Sequence, residues 1–447
     1  MMIILKNTTV LNFDPPEVLS PVDIVIEGNK ILKVGRDAAG EYMTKGGAPP
    51  KVIDASDKLV HPGLVCSHHH YYSGLSRGIL ARLGPTPDFV SVLRNLWWKL
   101  DRALDEESLY FSSIINSIEA IKAGTTSVID HHASPGYIPG SLDTVKRGFI
   151  EAGLRGMTCY EVTDRNGREG MLTGIEENLR FAEESESERK SGGPHLVEAA
   201  IGGHAPFTIP DEALKVLADT VEKTSRGFHV HAGEGRYDVS SSHLLYNEDL
   251  MRRLDRFGLL NDRAIIVHGV HLSEEDTRIL NERDSFLIHN PKSNMNNGVG
   301  YNNRLSEYKN VALGTDGIGA NMFEEYKFAY FKHRDAQGGL SPDDFLKFLT
   351  SGNRLLERYF DQSFGKVASG YTADLVISDY QPPTPLRAEN LAGHMAFGMT
   401  STDVRTVIID GEIVYEDRQF PFDTRDIFSA AREAAVKLWN AINKLPE

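Results

Sequence analysis

Hydrophobic positions up to residue 60 come as short apolar or alternating runs. They are Ile3-Ile4-Leu5, Val22-Asp23-Ile24-Val25-Ile26-Glu27 and Ile31-Leu32-Lys33-Val34, with Gly28-Asn29-Lys30 as turn material between the last two. An alternating period with such turns predicts β-strands. From Leu64 the pattern changes to a strand, a loop and a helix, repeated. Apolar runs at 64–66, 125–130, 154–162, 196–202, 228–231, 264–268, 286–289 and 311–314 read as strands. Helical periodicity covers 105–123, 142–152, 170–190, 210–224 and 273–282, while the segments after His231 and His289 read as long loops. Past Gly365 the text is β again, at 373–377, 404–409 and 413–415, with Asp410-Gly411 as a hairpin turn, and 427–445 closes the chain as a helix.

Strands alternating with helices predict a parallel sheet, and eight such units favour an α/β fold of the closed (β/α)₈ type. No Gly-rich phosphate fingerprint follows the first strand, which weighs against a dinucleotide fold. The expected organisation is a barrel over 61–364 and a small composite β-sandwich assembled from 1–60 and 365–420. A C-terminal helical segment over 421–447 completes it.

Composition narrows the class. The 447 residues are 40% hydrophobic and 25% charged, and 48 basic against 63 acidic residues give a net charge of −15. That balance argues against nucleic acid and anionic membranes as partners. No apolar run is long enough to span a bilayer, and the start lacks the pattern of a signal peptide. Cys66 and Cys159 are the only cysteines. Two in apolar strand-like runs make no disulfide framework and read as buried thiols in a reducing cytoplasm.

The chemistry collects where a barrel places its active site, at the C-terminal strand ends: His70, His131, His204, His231, His268, His289 and Asp316. In His68-His69-His70, side-chain alternation puts His68 and His70 on one face and His69 on the other. With His231 from the fifth strand and Asp316 from the eighth, they form a set of three nitrogens and one oxygen. That set suits zinc and also accommodates ferrous iron. His229 shares the face of His231 one layer deeper and is a rival ligand. Glu234, three residues past His231, stands where a carboxylate can shuttle a proton. His204 and Arg77 are candidate substrate contacts, each with a loop-structuring role as the alternative. Trp97-Trp98 either close the pocket over a flat ring or pack in the core.

Several motifs occur in order. They are Pro62-Gly63 before His68-x-His70, His231-x-x-Glu234, Val267-His268-Gly269-Val270-His271-Leu272, His289-Asn290-Pro291-x-Ser293-Asn294 and Gly314-Thr315-Asp316-Gly317. With them the chain resembles the amidohydrolase superfamily. Within it, the resemblance is to the aminohydrolase branch of guanine, 8-oxoguanine and S-adenosylhomocysteine deaminases and triazine hydrolases, and most to SsnA-type aminohydrolases. The resemblance implies one zinc ion held by His68, His70, His231 and Asp316. It implies catalytic Glu234, His268 and Asp316, substrate contacts from Asn290, Ser293 and Asn294, and a homodimer in the cytoplasm. Binuclear members bridge two metals with a carboxylated lysine on the fourth strand, and residues 196–204 contain no lysine. The implied reaction is hydrolytic deamination of a nitrogen heterocycle, a purine, pyrimidine or related ring, with release of ammonia. Cleavage of a cyclic amide by the same site and a non-catalytic binding barrel are the alternatives.

Overall fold

A computed structural model describes residues 2–43, 49–193 and 195–446. Its centre is a barrel of eight parallel strands: Leu64–His69, Thr125–Asp130, Arg155–Thr158, Val197–Ala199 continued by Ile201–Gly203, Phe228–Ala232, Ile265–His268, Phe286–His289 and Val311–Leu313. The fourth strand is interrupted at Ala200, whose N–H still donates to Thr158 O at 3.1 Å. The ring closes where Thr315 N–H donates to His68 O at 3.0 Å and His70 N–H donates to Asp316 O at 3.1 Å. Closure therefore brings the first and last strands together at the residues that carry the candidate ligands.

The strands are buried on both faces, as a parallel sheet covered by helices requires. Two of the helices begin at capping signals in the sequence. Glu106–Lys122 opens with a reciprocal Asp105–Ser108 capping box and Glu274–Glu282 with Ser273–Asp276. The expected long loops after His231 and His289 instead hold helices Arg236–Tyr246, Leu250–Arg256 and Pro291–Asn296. These helices are short and mostly polar, so no apolar stripe of sufficient length marks them. Met322–Asp335 and Pro342–Phe360, which follow the eighth strand, are also helices. Among the described residues no helix is long and apolar enough to cross a membrane.

Both chain ends build one further sheet. Strand Leu59–Pro62 lies between Met2–Phe13 and Leu375–Ser378, with Val404–Ile409 and Glu412–Tyr415 beyond the latter. Met2–Phe13, with 12 residues, runs well past its apolar start at Ile3-Ile4-Leu5, and its register with Pro16–Glu27 shifts between Leu5 and Val10. Ile3, Leu5, Ile24 and Ile26 share one core with Val60, Leu375, Ile377 and Ile408. At the hairpin, Asp410 and Gly411 both have positive φ, 52° and 78°, the signature of a type I′ turn.

Arg155 ties this sheet to the barrel. Its guanidinium is fully buried, with Nε and Nη2 donating to Asp374 at 3.0 and 3.2 Å and Nη2 also donating to Asp410 at 2.9 Å. Phe360 and Phe364 lie 5.2 and 4.9 Å from it. Arg155→Met strands two carboxylates behind those rings, so chemical denaturation is expected to show a loss of about 3–5 kcal/mol. Cys66 and Cys159 are buried and unpaired, and burial pushes the Cys66 thiol up to about 11. Neither thiol is expected to react with a thiol reagent at mildly alkaline pH in the native protein, and both in denaturant. Rapid native labelling would contradict the barrel register.

Candidate metal centre

The barrel mouth holds a compact group of imidazoles. His68, His231, His268 and Asp316 offer ligand atoms within 4.8 Å of one another, and so do His68, His70, His131 and His231. His68 and His70 stand on the same side of the first strand, with ring centroids 4.8 Å apart. His69 faces the other way, where its Nδ1 meets Thr315 Oγ1 at 3.0 Å.

The hydrogen bonds fix how these rings are protonated. His70 Nδ1–H donates to His131 O at 2.6 Å, and His231 Nδ1–H donates to His204 O at 2.8 Å. His268 Nδ1–H donates to Asn294 Oδ1 at 2.8 Å. A carbonyl oxygen can only accept, so each of these Nε2 atoms keeps a bare lone pair. His68 Nδ1 meets His229 Nε2 at 2.9 Å, and His229 Nδ1 lies 3.6 Å from Cys159 Sγ. His229 is therefore engaged behind His68 rather than facing the mouth beside His231.

All the Nε2 atoms converge. His70 Nε2 lies 3.2 Å from His231 Nε2 and 3.0 Å from Asp316 Oδ1, and His68 Nε2 lies 3.1 Å from the same oxygen. His268 Nε2 is buried without a hydrogen-bond partner. A cluster of lone pairs around one carboxylate oxygen has acceptors and nothing to donate. Such a donor-atom set fits a divalent cation. Without the ion, a proton takes its place. Burial opposes charging of His70, but the hydrogen bond to Asp316, the charges of Asp316 and Glu161 and the His131 carbonyl together outweigh it and raise the ring to about 9. Burial holds His68 and His231 well below the ordinary imidazole range. Asp316 is pushed well down, because its contacts with His68 and His70 outweigh its own burial. Its second oxygen accepts from Ser293 Oγ at 2.5 Å.

Glu234 stands at the edge of this cluster. Gly233 turns the chain out of the strand with φ 62°, its N–H anchored on Asp238 at 2.7 Å. Glu234 Oε2 then lies 3.5 Å from His268 Nε2, while Oε1 accepts from Asn297 Nδ2 at 3.2 Å. Burial pushes this carboxyl up to about 7, against the opposing pull of His268. The cavity beside it is lined by His70, His204, His231, Glu234 and Asp316, with Trp97 and Trp98 on its aromatic side.

The expected substrate contacts divide. His204 lines the cavity, with its Nδ1 on Thr208 Oγ1 at 2.8 Å. Ser293 and Asn294 lie behind the reacting groups, bound to Asp316 and His268. Asn290 is fully buried outside the lining. Arg77 stands away from the cavity, where both terminal nitrogens donate to Glu119 at 2.8 and 2.6 Å. Glu161, Asp238 and Asn297 enter the site without having been singled out. Asn297 lay in a stretch notable only for its polarity, and Glu161 only in a strand.

The chain and its architecture have known counterparts. A 5-methylthioadenosine/S-adenosylhomocysteine deaminase of Carboxydothermus hydrogenoformans is 31% identical over 451 residues, covering 98% of each chain. An adenosine deaminase from Xanthomonas campestris with bound zinc superposes with a TM-score of 0.82 at 23% identity, covering 98% of each chain. Atrazine chlorohydrolase from Arthrobacter aurescens, complexed with zinc, gives 0.81 at 20% identity over 97% of this chain and 100% of the other. The family profile described as "Amidohydrolase family" matches residues 59–414, a span that includes every barrel strand and the ligand cluster, and the chain belongs to that family.

Proposed function

We propose that this protein is a metal-dependent aminohydrolase that removes an exocyclic amine from a nitrogen heterocycle and releases ammonia. One observation carries the reading: Nε2 lone pairs and Asp316 Oδ1 converge on one point, with Glu234 alongside at His268. The deaminase name of the Carboxydothermus relative supports the reaction class. His68, His70, His231 and Asp316 would hold one divalent ion. Zinc suits three nitrogens and an oxygen, and both solved neighbours contain it. When bound, the ion supplies a Lewis acid that lowers the pKa of a water from about 15.7 to roughly 7.

The chain's own groups then move the protons. Asp316 and His268 accept the proton of the attacking water and aim its oxygen at the ring carbon that bears the amine. Glu234 protonates the adjacent ring nitrogen, takes up the proton of the hydroxyl formed on the carbon and passes it to the departing amine, and is then reprotonated by the proton held at Asp316 and His268. A carbon–oxygen bond forms, the carbon–nitrogen bond breaks, and the products are a ring carbonyl and ammonia. Asn297 and Asn294 hold Glu234 and His268 in place for these transfers. The fourth strand offers no lysine to bridge a second metal, which favours deamination at a single ion over opening of a cyclic amide.

Two expectations test the assignment. Glu234→Gln keeps the shape of the site and cannot carry the proton. Its metal content should equal that of the wild type while kcat falls at least about a hundredfold on any ring that is turned over. Loss of metal from that variant would make Glu234 a ligand. In the second test, His68→Ala with His231→Ala should abolish metal retention in elemental analysis of protein purified without chelators. Full retention would overturn the ligand set.

A further inference from the structure

Glu161 is a buried acid that the proposed mechanism does not use. It follows the third barrel strand, is 2% exposed, and lines the cavity. Its backbone N–H is spent on His132 O at 2.7 Å. On its carboxyl group, Oε1 has no such anchor and is buried without a hydrogen-bond partner. The neighbouring rings do not supply one. His70 Nδ1 is 3.3 Å away but gives its proton to His131 O, and His131 Nδ1, at 3.4 Å, makes no hydrogen bond. The guanidinium on this wall is already engaged. Arg165 donates to Asp101 at 3.1 Å and to Thr163 at 3.2 Å, and sits 4.6 Å over the ring of Trp98.

A buried carboxylate without a donor destabilises the protein that carries it. In a binding cavity it is relieved when a ligand brings the missing donor. The position of Glu161 says which part of the ligand this is. Its oxygen, a nitrogen of His204 and a nitrogen of His231 all lie within 4.8 Å of one another, so Glu161 faces the reacting end of the cavity rather than its entrance. An acceptor there meets the ring itself or a group attached directly to it.

We propose that Glu161 is a specificity residue that accepts a hydrogen bond from a second N–H donor on the substrate ring, distinct from the amine that leaves. The substrate class is then a diamino or amino-oxo heterocycle rather than a ring whose second edge offers only acceptors. The proposal rests on the aminohydrolase reading of the same site.

The test uses zinc-loaded protein and matched rings that differ by one amine: 2,6-diaminopurine against adenine, and 2,4-diaminopyrimidine against 4-aminopyrimidine. Binding is measured by titration calorimetry and ammonia release is assayed separately. The wild type should bind the diamino member of at least one pair at least about tenfold more tightly, as a charge-assisted bond at a desolvated site requires. In Glu161→Ala that preference should fall to near unity with metal content unchanged. Glu161→Gln, without ligand, should melt at the wild-type temperature or above it, since it replaces a buried acid whose Oε1 has no donor. A structural role for Glu161 would lower that temperature, and a role in supporting His70 would lower metal content. Either result overturns the proposal. So does a preference that survives Glu161→Ala, a wild type without preference, or binding by none of the rings. A preference that depends on Glu161 without ammonia release would uphold the recognition role and overturn only the deaminase reading.

Discussion

The mouth of this barrel is built around lone pairs that have nothing of their own to meet. His70, His231 and His268 each spend Nδ1–H on a carbonyl or amide oxygen, so each presents a bare Nε2 toward Asp316 and its neighbours. In water such an arrangement would be solvated. Inside a closed barrel it is tolerable only with a positive centre among the rings, either a cation or the proton that Asp316 draws onto His70. The placement of several other residues follows from this requirement. His229 stands behind His68 as a hydrogen-bond partner, and Ser293 occupies the far oxygen of Asp316 so that only one faces the cluster.

Holding the cluster together costs the backbone regular geometry at the same places. His268 and Asp316 have φ of 71° and 61°, a region that side chains other than glycine rarely occupy. His268 ends its strand and Asp316 follows its own by three residues, where the chain leaves regular β geometry. Gly233 makes such a departure before Glu234 without a Cβ to strain, while Asp238 on the next helix fixes its N–H. The barrel body supplies rigidity, and the residues just past its rim supply direction.

Much of this was legible because a strand has a period of two. The parity of His68, His69 and His70 placed two rings in the cluster and sent the third to Thr315. The same parity made His229 a rival of His231, and its place one layer deeper is what sets it behind His68 instead of beside His231. Residues reached across long loops were harder. Arg77 looked free to meet a substrate, but Glu119, on a helix made later in the chain, holds it at both nitrogens. Asn297 reaches Glu234 from a short helix in a segment that reads as loop, and Glu161 matters because of the donor it lacks, a property of its surroundings. The helices after His231 were missed for want of an apolar stripe.

The seam between the two ends of the chain has a consequence for how the protein is made. Strand Leu59–Pro62 pairs with Leu375–Ser378, which leaves the ribosome only after every barrel strand has done so. Until then Val60 and the apolar face of Met2–Phe13 lack Leu375, Ile377 and Ile408 from their core, and Arg155 has neither Asp374 nor Asp410 to neutralise it. Synthesis therefore passes through a long interval in which an almost complete barrel carries an open, adhesive strand edge and a buried cation awaiting its counter-charge. Release of the last strands is what seals the molecule, so a chain stopped short of them would keep every metal-ligand candidate and still be a target for chaperones and proteases.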